Sequence, residues 1–98
     1  MQIQHKEEDG KGIFYIEDNG NTVAELVYSI PSADKIIIEH TEVDHPLSGK
    51  GVGKQLVGAT VDYSRSNNIK IIPLCSFAKS VFEEETEWQD VLYTFRKI

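Results

Sequence analysis

The sequence is poor in the features that mark secreted and membrane-spanning proteins. Its 98 residues include one cysteine, Cys75, which excludes an internal disulfide and fits a reducing cytosol, so we expect a cytoplasmic protein. A membrane-spanning helix needs roughly 18 consecutive apolar residues, and no such run is present. Residues 1–8 also lack the apolar core of a secretory signal peptide. We therefore expect one small domain over residues 1–98, without a membrane span.

Basic residues are scarce overall but are concentrated in one segment. The formal net charge is −6, which argues against a nucleic-acid partner because such binding relies on a basic surface. Residues 1–45 hold ten acidic and three basic side chains, whereas residues 46–82 hold five basic and one acidic. A polyanionic ligand would favour the second segment, although chance clustering in a small chain gives the same pattern.

The most informative motif is a glycine-rich turn, Gly49-Lys50-Gly51-Val52-Gly53-Lys54, between an apolar run and a helix-like stretch. Backbone N–H groups at a helix start lack helical partners, and with the helix dipole they can bind phosphate. Two known phosphate motifs fail here. Lys54 replaces the third glycine of G-x-G-x-x-G, while Ser48 and Gln55 break the pattern G-x-x-x-x-G-K-[ST]. A nucleotide-binding domain is therefore disfavoured, and an ordinary tight turn before a helix stays an alternative.

The first half of the sequence predicts antiparallel strands. Residues 13–16 and 23–30 have strand composition and flank a turn at residues 19–21, so they predict a hairpin. Lys35–Val43 predicts the next strand, and residues 3–6 predict a short edge strand.

The second half predicts a strand–helix–strand unit and a short helix. Four apolar residues step by four, three and four and so share one helical face: Val52, Leu56, Ala59 and Tyr63. This helix should end near Asn67-Asn68 and lead into a strand over residues 69–74. The two flanking strands should then be parallel, joined by a right-handed crossover. A helix over residues 77–85 follows, which Ser76 could cap, and residues 91–95 could close the sheet.

Three motifs in this order resemble the GNAT superfamily of N-acetyltransferases, and its very small single-domain members of the YidJ type in particular. The glycine turn resembles the acyl-CoA loop [RQ]-x-x-G-x-[GA], with Ser48 in place of Arg or Gln. The small members also share the segments Glu39-His40-Thr41-Glu42-Val43 and Cys75-Ser76-Phe77-Ala78-Lys79. The resemblance implies a GNAT-like α+β fold, with a mixed, mostly antiparallel sheet, a strand–helix–strand crossover and a short C-terminal helix.

The resemblance also implies the activity and the ligand. We expect acetyl-CoA as the cofactor, lying between splayed fourth and fifth strands, and transfer of its acetyl group to an unidentified primary amine. The helices that wall the acceptor site in larger relatives have no room before residue 13. A non-catalytic acyl-CoA binding or sensing module is therefore the alternative. The acidic surface weakly favours a cationic acceptor, which could be a small molecule, a polyamine-like cation or a protein amine.

The cofactor should contact the glycine turn, the free edge of the preceding strand and the start of the last helix. Backbone N–H groups of residues 48–54 would bind the pyrophosphate, and a backbone N–H within residues 41–43 would polarise the thioester carbonyl. The expected cofactor-binding residues are Thr41, Val43, Ser48, Gly49, Lys50, Gly51, Val52, Gly53, Lys54, Ser76, Phe77 and Lys79.

Three side chains are candidates for the chemistry. His40 could act as general base or proton shuttle, or could simply pack as a strand histidine. Strand alternation places Glu42 on the same face, where it could orient the imidazole or accept the amine proton itself. Cys75 could form an acetyl intermediate, protonate the leaving thiolate, or be a small buried residue. A zinc site of His40, His45 and Cys75 lacks a supporting spacing, so we predict no metal.

Overall fold

The computed structural model describes residues 2–94 and contains a five-stranded sheet with two α-helices. In chain order the elements are β1 (Gln4–Glu8), β2 (Lys11–Asp18), β3 (Asn21–Ser32), β4 (Lys35–Val43), a first 3₁₀-helix (His45–Leu47), α1 (Val52–Asn67), β5 (Lys70–Pro73), α2 (Ser76–Glu84) and a second 3₁₀-helix (Thr86–Val91). The predicted α+β class, edge strand, hairpin and strand–helix–strand unit are confirmed. Within residues 2–94, neither α-helix is long and apolar enough to cross a bilayer.

The five strands lie side by side in chain order, and β4 separates from β5 halfway along its length. All neighbours are antiparallel except β4 and β5, which are parallel and joined through α1. Their pairing ends where Ile38 lies opposite Pro73. The N–H groups of Leu74 and Cys75 both donate to the Ile38 carbonyl, at 3.0 and 3.3 Å, as the chain turns away. The edge of β4 over residues 39–43 therefore has no neighbouring strand in the described part of the chain.

The core lies on one face of the sheet, beneath α1 and α2. Alternate residues of each strand point to this face, and they meet the apolar stripe of α1. Burial of each such aliphatic side chain contributes about 1.5–3 kcal/mol. The largest fully buried side chains that are not polar are Ile16, Leu26, Tyr28, Ile36, Ile38, Leu56, Val57, Val61 and Ile71.

A β-bulge at Glu39 changes the direction of the side chains along β4. Tyr28 of β3 lies opposite Ile38, whereas the preceding Val27 lies opposite His40, so Glu39 is the extra residue. Thr41 consequently joins Ile38 on the face of the helices. His40 points to the other face of the sheet.

The start of α2 differs from the prediction. The helix begins at Ser76, and Cys75 is its N-cap residue, without a side-chain hydrogen bond to the helix. The prediction that Ser76 caps the helix is therefore wrong. Ser76 lies inside the first turn, where its carbonyl accepts a hydrogen bond from the Ser80 hydroxyl at 3.1 Å.

The C-terminal segment also differs from the prediction of a strand over residues 91–95. A 3₁₀-helix continues to Val91, and Leu92 then makes an isolated parallel bridge to Ile71 of β5. The Gln89 side-chain amide donates to the Phe82 carbonyl at 2.8 Å, which holds this segment against α2. Strand composition is therefore overridden by tertiary contacts. Phe95 lies outside the described residues.

Candidate active site

A cleft of about 470 Å³ opens between the free edge of β4, the glycine loop, and the helices α1 and α2. It brings together nine of the twelve residues predicted to bind the cofactor: Thr41, Val43, Ser48, Gly49, Gly51, Val52, Gly53, Lys54 and Phe77. Leu47, Val81 and Glu84 also line the cleft and were not predicted. The sequence motifs therefore identified one continuous surface rather than separate features.

The glycine loop presents unpaired backbone donors to this cleft. Within residues 48–54, five amides have no hydrogen-bond acceptor among the described residues, those of Gly49, Gly51, Val52, Gly53 and Lys54. The last three belong to the first turn of α1, where N–H groups lack helical partners and the helix dipole is positive. An anion is therefore the ligand that this arrangement favours.

Two of the predicted donors are already in use. The Ser48 N–H donates to the His45 carbonyl at 3.1 Å, and the Lys50 N–H donates to the Leu47 carbonyl at 3.3 Å. These bonds come from the 3₁₀-helix His45–Leu47 and the turn after it. The prediction that every amide of residues 48–54 is available is therefore wrong for these two.

The glycines give the loop its shape. Gly49 and Gly51 have φ of 78° and 75°, a region that costs other residues roughly 1–2 kcal/mol. Gly53 has a different role, because a Cβ there would lie 2.7 Å from Cζ of Phe77. The missing side chain lets the Phe77 ring pack across the first turn of α1. Phe77 forms a wall of the cleft although 41% of its surface is exposed.

The cationic side chains differ in their relation to the cleft. Lys54 lines it and forms an ion pair with Glu85, whose carboxylate raises the pKa of the lysine. Lys50 and Ser76 are not among the residues that line it. Lys79 lies instead in a separate groove beside Pro73. The structure therefore does not bring Lys50, Ser76 or Lys79 to the cleft.

The free edge of β4 offers main-chain groups to an extended ligand. The Asp44 N–H donates to the Val23 carbonyl of β3 at 2.9 Å. Because main-chain groups of successive strand residues point to opposite edges, those of Val43 and Thr41 point away from β3. They face the opening between β4 and α2, where an extended ligand can pair as an added strand does.

His40 and Glu42 lie together on the opposite face of the sheet, and this part of the prediction is confirmed by the register. The carboxylate that contacts the imidazole is, however, that of Glu25. The Nε2 atom of His40 lies 3.2 Å from Oε2 of Glu25, and about half of the histidine side chain is exposed. The prediction that Glu42 orients His40 is therefore wrong. Glu25 was missed because its position beside His40 depends on the pairing of β3 with the bulged strand.

Cys75 lies where β5 leaves the sheet, at the N-terminus of α2. Its Sγ atom is 3.8 Å from the Thr41 hydroxyl, so it is adjacent to the free edge of β4. The thiol is half-buried and not in a disulfide. Among residues 2–94, no three His, Cys, Asp or Glu side chains are close enough together to hold a metal ion.

The family model and the solved structures that match this chain indicate the same protein family. Residues 13–91 match the family described as GCN5-related N-acetyl-transferase. A GCN5-like protein from Staphylococcus aureus, described as an N-acetyltransferase, is 42% identical over 95% of this chain and 90% of that chain, with a TM-score of 0.71. No curated protein matches the chain.

Two more distant structures share the fold. The ribosomal-protein-alanine N-acetyltransferase from Brucella melitensis biovar Abortus 2308 is 14% identical, over 93% of this chain and 67% of that chain, with a TM-score of 0.66. A GNAT family acetyltransferase from Elizabethkingia anophelis, solved with acetyl-CoA bound, is 12% identical, over 79% of this chain and 53% of that chain, with a TM-score of 0.61. With the family match over most of the sequence, the chain belongs to the GCN5-related N-acetyltransferases, the enzymes that transfer an acetyl group from acetyl-CoA to an amine.

Proposed function

We propose that this chain binds acetyl-CoA in the cleft and transfers the acetyl group to a primary amine. The observation that supports this most strongly is the set of unpaired amides in the glycine loop, which lie in the same cleft as the free edge of β4. A diphosphate would satisfy the amides of Gly49, Gly51 and the first turn of α1. The tether that follows it would run along β4.

The cleft fits the successive parts of the ligand. The main-chain groups of Thr41 and Val43 would pair with the amides of the pantetheine arm. Phe77 and Val81 supply an apolar wall beside it. When bound, acetyl-CoA supplies an activated acetyl group, and one of the unpaired N–H groups at the free edge would stabilise the oxygen that becomes negative during transfer.

His40 is our candidate for the base that removes a proton from the amine. It is adjacent to Thr41 but points to the other face of the sheet, so the amine would approach from the face away from the helices. The contact with Glu25 holds one ring nitrogen, which leaves the other to accept a proton. Glu42 lies on the same face and is the alternative acceptor of that proton. A fall in kcat for His40→Gln that Glu42→Gln does not reproduce would support the histidine.

Cys75 has two candidate roles, which its position beside Thr41 supports. In the first, its sulfur attacks the acetyl carbonyl, the carbon–sulfur bond to CoA breaks, and the acetyl group stays on Sγ until the amine takes it. In the second, the thiol protonates the departing CoA sulfur. Intact-mass measurement after incubation with acetyl-CoA separates them, because only the first adds an acetyl group to the wild type and not to Cys75→Ser.

The acceptor is unidentified, and we propose a cationic amine. Ten of the sixteen acidic residues lie within residues 1–45, which include both Glu25 and Glu42. Glu25 and Glu42 are directly opposite each other across β3 and β4, an unfavourable pairing of like charges that a cation would relieve. Polyamines and lysine-containing peptides should therefore be better acceptors than amines that carry no positive charge besides the reacting group.

Two measurements test the proposed function. Titration of acetyl-CoA, followed by amide NMR, should shift the signals of the glycine loop and leave those of the β1–β2 turn unchanged. Release of free thiol should then exceed the background with at least one amine. Binding without thiol release would favour an acyl-CoA sensing module, and the absence of binding would refute both.

A further inference from the structure

A second groove continues from the glycine loop along the outer side of α1. It encloses about 560 Å³ and shares Gly51 and Lys54 with the first cleft. Its remaining lining comes from one face of α1, from Ile3 near the N-terminus and from Trp88 in the second 3₁₀-helix. The two cavities therefore adjoin at the position proposed for the pyrophosphate.

We propose that this second groove binds the adenosine part of coenzyme A, with Trp88 as its aromatic contact. The inference rests on the proposed function, because the pyrophosphate must first be held by the glycine loop. From that point the ligand has two ends. The pantetheine arm would enter the first cleft, and the nucleoside would lie along α1.

The length and floor of the groove fit a nucleoside. Gly51, the N-cap residue of α1, lies seven residues before Gly58, which corresponds to about 10 Å along the helix axis. The floor between them is low, because Gly58 and Ala59 carry little or no side chain. Trp88 packs directly against this floor, since a Cβ on Gly58 would lie only 3.2 Å from its ring. A flat purine ring beside an indole gains stacking energy, and this gain depends little on which purine it is.

The charges along the groove give the ligand one orientation. Lys54 lies at the loop end, beside the position of the phosphates, where its ammonium group would exchange Glu85 for a phosphate oxygen. Asp62 lies eleven residues after Gly51 on the same helix, at the far end. Its carboxylate repels phosphate but accepts a hydrogen bond from the exocyclic amine of adenine. In the same pose, guanine would present a carbonyl oxygen in place of this amine and would lose that hydrogen bond.

The fluorescence of Trp88 tests this proposal directly, because it is the single tryptophan of the chain. Coenzyme A and adenosine 3′,5′-bisphosphate should both change its emission. Phosphopantetheine, which lacks the nucleoside, should bind without such a change. Guanosine 3′,5′-bisphosphate should bind more weakly than the adenosine compound, and Asp62→Asn should reduce that difference.

Affinity measured by calorimetry supplies the second readout. Trp88→Leu should weaken coenzyme A binding by roughly 5- to 150-fold and leave phosphopantetheine binding unchanged. Trp88→Phe retains an aromatic ring for packing on α1 and should lose less, which separates stacking from misfolding. Unchanged emission at saturating coenzyme A, or equal weakening of both ligands by Trp88→Leu, would overturn the proposal. If coenzyme A does not bind the wild type at all, the proposed function itself fails.

Discussion

Gly51 offers the most direct test of the loop as an anion site. Gly51 has φ of 75°, and in the described part of the chain nothing lies within 4 Å of where its Cβ would be. Gly51→Ala therefore introduces backbone strain without a steric clash. Gly10, in the turn between β1 and β2, has φ of 77° and equally open surroundings. It lies at the end of the sheet away from Val43, so Gly10→Ala is a matched control.

The two substitutions should cost similar stability but differ in binding. Each places alanine in the left-handed region, which lowers the free energy of unfolding by roughly 1–2 kcal/mol. Each kcal/mol corresponds to about 4–8 °C in Tm for a domain of this size. Relaxation at Gly51 also turns the amides of the first turn of α1. One lost hydrogen bond to a charged phosphate costs about 1.5–3 kcal/mol, or roughly 10- to 150-fold in affinity.

Urea denaturation measures the first effect, and calorimetric titration with acetyl-CoA measures the second. Gly51→Asn is a useful third variant, because asparagine tolerates the left-handed region better than alanine and should recover part of both losses. The reasoning is refuted if Gly51→Ala binds acetyl-CoA as tightly as the wild type. It is refuted equally if Gly10→Ala loses the same affinity, since the effect would then follow from stability alone.

Three further predictions concern the wall of the cleft and a hydrogen-bonded cluster near the C-terminal end of α1, formed by His5, Glu7, Tyr28 and Tyr63. Gly53→Ala should weaken acetyl-CoA binding about tenfold, because the added Cβ displaces the ring of Phe77. The higher helix propensity of alanine should offset much of the stability lost through this displacement. Unchanged affinity by calorimetry would contradict the prediction. Tyr63→Phe, which removes a hydrogen bond to Glu7, should cost about 1 kcal/mol in urea denaturation and leave acetyl-CoA affinity unchanged. Stability should also fall as the pH is lowered, because burial lowers the pKa of His5 below 6.5 and hydrogen bonds from tyrosines lower that of Glu7 below 4.5. Both groups bind more protons in the unfolded chain than in the folded one, so the free energy of unfolding decreases as the pH falls. This decrease should begin near pH 6.5 for His5 and near pH 4.5 for Glu7. Urea midpoints that stay constant from pH 8 to 4 would exclude this pH dependence.

The elements that carry the site could be predicted from the sequence because their local signals agree. The bounds of β4, Lys35–Val43, are those predicted, since a turn precedes the strand and Asp44 with Pro46 follows it. The helix α1 also ends at Asn67, where Asn68 adopts the left-handed conformation that asparagine tolerates. The spacing of Gly49, Gly51 and Gly53 in the sequence also predicted where the cleft lies, because these glycines form the loop that lines it.

The contacts across the sheet could not be predicted, because they depend on register. Nothing in the local sequence of β4 indicates an extra residue at Glu39, and the partner of His40 follows from that bulge. The available amides depend in the same way on the 3₁₀-helix His45–Leu47, whose bonds occupy those of Ser48 and Lys50. Motif spacing places residues near one another. It does not determine which of their polar groups are already paired.

The bulge at Glu39 has a consequence for the chemistry as well as for the register. Uninterrupted alternation from Ile36 and Ile38 would place His40 and Glu42 on the face of the helices, with Thr41 on the other. One extra residue reverses this arrangement over the part of β4 that β5 leaves free. A single strand can then present main-chain groups and Thr41 to the cleft and His40 to the opposite face. In the function proposed above, the acetyl donor and the amine would therefore reach the same strand edge from opposite faces.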